Sequence, residues 1–150
     1  MPINPGYFKK PKLGMAMTAL AGPMSNVLLS ALAAAGYTVS MFYCAYLEAP
    51  ALEVLGSFFY CVFYISAGLA VFNLLPVPPL DGSKVLAVLL PEAWYWKLMR
   101  YERYGMYALM ALLLTGALDR PLDFLRNGLI DGLVPISEWT LELLLALHIG

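Results

Sequence analysis

The stretch Asn73-Leu74-Leu75-Pro76-Val77-Pro78-Pro79-Leu80-Asp81-Gly82-Ser83-Lys84 constrains the fold more than any other part of the chain. It ends a run of 27 residues without charge, from Val54 to Leu80. A helix of that length reaches about 40 Å, whereas about 20 apolar residues suffice to cross a bilayer. The three prolines must break or kink the helix, because proline lacks an amide donor and clashes with the preceding turn.

Asp81 follows this predicted break. In lipid, broken backbone persists only where protein or water covers the freed polar groups, so we expect Asp81 at an irregular, protein-lined point near or inside the membrane. A carboxylate at mid-bilayer costs about 3 kcal/mol on insertion scales, and such residues commonly mark functional sites. Residue chemistry leaves four uses open: Asp81 could bind a metal, relay a proton, pair with a basic residue, or cap a helix that begins at Ser83.

The composition indicates an integral membrane protein. Hydrophobic residues make up 61% of the chain, against about 45–50% in soluble domains. Charged residues make up 13%, about half the usual share. The mean hydropathy is +0.74. The formal net charge of -1 argues against a nucleic-acid partner, because no basic face is available to neutralise phosphates.

The charge pattern predicts an all-α, polytopic membrane protein with about three transmembrane helices in a single domain, residues 1–150. An extended lead-in (1–14) precedes a first span within Leu13–Leu47, which has length left for a bend or loop. A polar link from Glu48 to Glu53 leads to a second span, from Val54 to about Leu74. The third apolar run, Gly105–Leu118, spans comfortably only if its helix begins near Trp96. Residues 119–150 alternate charged with apolar residues and read as an amphipathic interfacial tail.

Several smaller features lie within these spans. Gly22-Pro23 can start or kink the first helix. Asn26 is either an interhelical hydrogen-bonding residue or part of a cavity wall, and the run Ala33–Gly36 predicts tight helix contact. We expect Cys44 and Cys61 to be buried free thiols. The basic cluster Lys9, Lys10 and Lys12 places that flank on the cytoplasmic side, with membrane lipid around the spans.

Three elements of the chain resemble the site-2 proteases, which are intramembrane zinc metalloproteases. The run Asn73–Gly82 closely resembles their Leu-Asp-Gly signature, and Ala21–Asn26 resembles their Gly-Pro-x-x-Asn element. Pro2–Pro5 and Phe8–Lys12 resemble the lead-in of the short bacterial members. The resemblance covers nearly the whole chain, least clearly after Leu118.

The resemblance implies a zinc site made of two histidines and one aspartate, in which Asp81 is the aspartate. It implies that Asn73 lies near the site and that Asn26 faces it from the neighbouring span. Gly22, Pro23, Pro76 and Gly82 belong to the two motifs that line the cavity. The implied activity is hydrolysis of an unwound transmembrane segment of a protein substrate in a bacterial cell membrane, by a zinc-bound water with a glutamate base.

The His-Glu-x-x-His helix of that family is missing from this sequence. The chain has one histidine, His148, which we expect to be a surface or interface residue. No general base is present, so we expect an N-terminally truncated or wrongly started form of the protease. The alternative is a non-catalytic membrane protein that binds transmembrane segments. A small transporter subunit, in which Asp81 titrates with transport, is a third hypothesis.

Overall fold

The computed structural model describes residues 11–88, 90–91 and 102–149, and in these residues it contains helices and no strands. The helices are α1 (Pro11–Leu47), α2 (Pro50–Leu74), α3 (Asp81–Val88), α4 (Glu102–Leu114) and α5 (Asp119–Ile149). Two of them, over Leu13–Leu47 and Pro50–Leu74, are long and apolar enough to cross a membrane, and Tyr104–Leu114 is a shorter apolar helix. The predicted all-α membrane protein is confirmed. A third span that begins near Trp96 falls partly outside the described residues.

The first two helices both begin at a proline. Helix α1 starts at Pro11, so extended chain is the wrong prediction for residues 11–14 of the lead-in, and residues 1–10 lie outside the described part. Helix α2 starts at Pro50, so the predicted polar link shrinks to Glu48 and Ala49. Proline fits the first turn of a helix because its missing amide hydrogen has no intrahelical partner there and its φ is already helical. Pro11 and Pro50 therefore begin these helices and do not break them.

Pro23 lies inside α1, which runs unbroken for 37 residues. Of the two predictions for Gly22-Pro23, a helix start is therefore wrong. Pro23 is among the largest fully buried side chains. Its ring removes the bond that an amide at this position would donate to the carbonyl of Ala19, one turn earlier. The ring of Pro23 is itself buried in the protein, whereas Ala21 and Met24 beside it are exposed.

Contacts between Cα atoms divide the chain into two compact units. The first unit comprises Met1–Ser25 and Leu69–Phe124, and the second comprises Asn26–Gly68 and Leu125–Gly150. The prediction that residues 1–150 form one membrane domain stays a prediction.

The second unit is held by close helix contacts. A Cβ on Gly36 of α1 would come within 2.8 Å of the Phe59 ring on α2. The Ser30 hydroxyl donates a hydrogen bond of 3.0 Å to the carbonyl of Phe63. Ala33 and Ala34 are 2% and 3% exposed, which confirms the tight contact predicted for the run Ala33–Gly36. Small residues allow such close approach, which is the usual basis of helix packing in membranes.

The two cysteines are free thiols, as expected, but they are not both buried. Cys61 is exposed on α2 and Cys44 is half-buried. The burial prediction is therefore wrong for Cys61. An apolar stretch in a membrane helix presents part of its surface to lipid, so an apolar sequence context does not imply burial in protein.

In the first unit, two glycines make close contacts with the chain at the end of α2 and between α2 and α3. A Cβ on Gly82 would overlap the backbone of Leu74 and Leu75 at the end of α2. A Cβ on Gly105 of α4 would overlap the backbone of Pro78. The irregular segment 75–80 is thus covered by protein backbone at both of these points, as broken backbone in a membrane requires.

Helix α5 is continuous over 31 residues and contains Pro135. Its charged residues Asp119, Arg120, Asp123 and Asp131 are exposed. The predicted tail is therefore a single long helix, and its position at the membrane interface stays a prediction.

Gly82→Ala tests the close backbone contact at the end of α2. Because the new Cβ meets backbone rather than a movable side chain, we expect the free energy of unfolding to fall by about 3 kcal/mol, measured by thermal denaturation in detergent. The matched control is Gly128→Ala in α5, where no atom lies within 4 Å of the added Cβ. That control should gain about 0.5–1 kcal/mol, because alanine favours the helix. Equal effects at the two positions would contradict the contact.

Candidate functional site

The candidate site lies where α2 ends. The segment 75–80 leaves the helix through Leu75, whose amide donates to the carbonyl of Phe72 at 3.1 Å. The amide of Leu80 donates to the carbonyl of Val77 at 2.9 Å. Three of the six residues in the segment 75–80 are prolines, which have no amide hydrogen that needs an acceptor. The Pro78–Pro79 peptide bond is cis. The predicted proline-broken helix at Asn73–Asp81 is therefore a helix end, a short irregular segment and a new helix.

Asp81 is the first residue of α3. Its Oδ1 lies 3.1 Å from the Nζ of Lys84, one turn later in the same helix. Its Oδ2 lies 3.4 Å from the position that a Cβ on Gly22 would occupy. The carboxylate is thus held between a lysine on its own helix and a surface of α1 that carries no side chain.

Among the four uses left open for Asp81, an ion pair is present in the structure. The predicted helix start at Ser83 is wrong, since α3 begins two residues earlier. The Ser83 amide and hydroxyl both donate to the carbonyl of Leu80, at 3.1 and 2.7 Å. The Leu80 carbonyl therefore already accepts from the Ser83 amide in the first turn of α3, where amides lack the usual intrahelical partner.

The other predicted site residues are distributed over both units. Gly82 packs on the end of α2 as described above. Asn73 is half-buried in the last turn of α2, and Pro76 is exposed in the irregular segment. Asn26 is half-buried on α1, four residues after Gly22, and belongs to the second unit. The roles assigned to these residues stay predictions.

The two asparagine side chains are polar groups with spare hydrogen-bonding capacity. Within the described part of the chain, neither Asn26 nor Asn73 makes a side-chain hydrogen bond. An amide offers two donors and one acceptor oxygen. In an apolar environment such groups gain free energy when they find a partner.

The residues of this chain do not fit a complete zinc site. In residues 11–88, 90–91 and 102–149, no group of three or more His, Cys, Asp or Glu side chains could hold a metal ion. Catalytic zinc has three protein ligands in the known classes, and Asp81 is a single donor whose charge is already paired with Lys84.

His148 stands apart from Asp81 in the sequence and belongs to the second unit. Its ring lies 5.2–5.5 Å from the rings of Phe42, Tyr43 and Tyr46, and its Nδ1 lies 2.9 Å from the carbonyl of Leu144. These contacts describe a histidine packed among aromatic side chains near the end of α5. His148 is exposed, as the expectation of a surface or interface residue allows, and a position at the membrane interface stays a prediction.

Two contacts of the site were not predicted. A basic partner for Asp81 was one of four uses left open, and Lys84 was not named, although a spacing of three residues indicates a pair on one helix face. The contact of Gly105 with Pro78 brings together residues far apart in sequence. No local pattern indicates such a contact.

Comparison with known proteins adds the family. The sequence profile of Peptidase family M50 matches residues 35–116, which include the whole segment between α2 and α3. The chain is 31% identical over 122 residues to the Bacillus subtilis (strain 168) protein named "Putative zinc metalloprotease YwhC". The match covers 77% of this chain and 52% of the relative, so the chain spans about half the length of the curated relative it matches. No solved structure matches. The helical fold, the proline-broken segment with Asp81 and these matches together show that the chain belongs to peptidase family M50, the site-2 protease family of metallopeptidases.

Proposed function

We propose that this chain is the aspartate-bearing part of an intramembrane zinc metalloprotease that cleaves membrane-embedded protein segments. In this proposal Asp81 is one zinc ligand, and the two histidine ligands and the general base come from residues outside this sequence. Family membership supports the reaction class. The single histidine supports an external source for the other ligands.

The observation that carries the proposal is the position of the Asp81 carboxylate. It lies at the start of a helix that follows a proline-broken segment, and its Oδ2 lies 3.4 Å from the position that a Cβ on Gly22 of α1 would occupy. The proposal assigns the Leu-Asp-Gly and Gly-Pro-x-x-Asn motifs to one site, and this approach of Asp81 to Gly22 supports it.

Each of this chain's residues then has a defined task. Zinc, when bound, supplies a water of lowered pKa as the nucleophile. Asp81 presents a carboxylate oxygen at the broken helix, and Gly22 leaves room beside it. Asn26 and Asn73 offer amides to the backbone of a substrate segment that has unwound and lost its own hydrogen bonds.

The proposal includes the position of the protein in the membrane. Helices α1 and α2 cross the bacterial cell membrane, and the Lys9–Lys12 flank lies on the cytoplasmic side, in agreement with the positive-inside tendency. The substrate is a transmembrane segment of another protein. The protein therefore has membrane lipid and a helical substrate as partners.

The first experiment tests the source of the missing ligands. We expect the DNA upstream of Met1 to encode a His-Glu-x-x-His motif in the same reading frame, and the longer protein to bind zinc stoichiometrically and cleave a transmembrane peptide. Asp81→Asn in that protein should lower zinc affinity and kcat/KM by at least about 100-fold, since second-shell changes alone cost 10–100-fold. Asp119→Asn, at an exposed aspartate of α5, is the matched control. Zinc-dependent cleavage by the 150-residue chain alone would contradict the ligand assignment.

A second experiment varies the size of the side chain at Gly22, opposite Asp81. Gly22→Ala places a Cβ 3.4 Å from Oδ2, an ordinary contact, so we expect cleavage by the longer protein to stay near the wild-type rate. Gly22→Leu fills the space with a branched side chain and should abolish zinc binding, measured by metal analysis of the purified protein. Gly132→Leu, at an open position of α5, controls for the added bulk. Zinc binding that survives Gly22→Leu unchanged would show that the space at Gly22 is not part of the site.

A further inference from the structure

We infer that Lys84 is a positioning residue for Asp81: it holds Oδ1 so that Oδ2 lies against α1 at Gly22. The pair joins Nζ and Oδ1 at 3.1 Å, and the side chains of Lys84 and Asp81 are 22% and 36% exposed. The two oxygens of one carboxylate therefore have different surroundings. One meets an ammonium group, and the other lies 3.4 Å from the position that a Cβ on Gly22 would occupy.

The usual alternative for an aspartate at a helix start is to cap the helix. A capping side chain turns back to accept a bond from an amide in the first turn. Here the Ser83 amide already donates to the carbonyl of Leu80, at 3.1 Å. A backbone oxygen thus accepts from this amide, and the hydrogen bond that the Asp81 carboxylate makes is to Lys84, at 3.1 Å.

The sequence around the pair contains no substitute for Lys84. It is the one lysine or arginine between Leu13 and Val88, a stretch that includes all of α2 and α3. Without it, Asp81 would be a partly buried carboxylate beside an apolar helix end, with no cation nearby in sequence. Because the pair is partly exposed, we expect its loss to cost no more than about 1 kcal/mol.

The inference rests on the geometry of this chain and not on the proposed function. If the proposed function holds, Oδ2 is the oxygen left for a further ligand, because Oδ1 is taken by the lysine. If the proposed function fails, the pair still fixes the first turn of α3. The experiment is therefore performed on the 150-residue chain in detergent, with a chelator present.

The test is a double-mutant cycle on thermal unfolding, using Lys84→Met, Asp81→Asn and the double variant. We expect Lys84→Met to lower Tm by about 2–4 °C and the double variant to lose less than the sum of the two single changes. Lys84→Arg keeps a cation and should restore most of the loss. Arg120→Met, at an exposed cation of α5, should leave Tm unchanged.

Salt separates a charge effect from packing of the lysine stem. The coupling should shrink when NaCl is raised from about 0.01 M to about 1 M, because screening weakens the attraction between partly exposed charges. The inference would be overturned if the Tm losses of the two single variants add up in the double variant. It would also be overturned if the coupling between the two residues does not change with salt, or if Lys84→Arg does not restore Tm. If Lys84→Met does not fold, the folding of the double variant is the deciding measurement. A folded double variant supports the unpaired Asp81 charge as the cause of the failure, and an unfolded double variant overturns the inference.

Discussion

The backbone polar groups freed at the end of α2 need partners from protein or water, and this requirement shapes the candidate site. Prolines remove three amide donors from the segment 75–80. The amides of Leu75 and Leu80 bond to nearby carbonyls. Gly82 can approach the carbonyls of Leu74 and Leu75 because it has no Cβ. Only after the chain has been closed in this way can α3 begin with Asp81 in its first turn.

The described core is built from small side chains. Six of its twelve buried hydrophobic residues are alanines, and its four buried polar residues are serines. Large apolar residues such as Leu28, Phe58 and Tyr64 are exposed instead. In water, exposing these large apolar side chains would lose hydrophobic stabilisation. In a membrane the lipid tails are as apolar as leucine, so helices pack through close approach of their backbones instead. The same physics permits a glycine opposite Asp81, since close contact does not require a large side chain there.

The sequence predicted much of the fold, and the misses have physical causes. The uncharged runs located α1 and α2, and the prolines between Leu75 and Leu80 located the break. Helix starts at Pro11 and Pro50 were missed because proline both ends helices and begins them, and composition does not tell which. Gly22 was predicted through its motif, and the structure places it next to Asp81, while its role in a site stays a prediction. The Gly105–Pro78 contact depends on how α4 packs, which no local pattern encodes.

The pairing of Asp81 with Lys84 changes what family membership implies for this chain. Catalytic zinc has three protein ligands in the known classes. The described residues bring the Asp81 carboxylate against Gly22 but contain no group of three or more His, Cys, Asp or Glu that could hold a metal ion. A carboxylate without a metal still needs a cation near apolar surroundings, because an uncompensated charge there is costly. Lys84 supplies that cation from the same helix turn, so the scaffold can keep its shape independently of the metal donors.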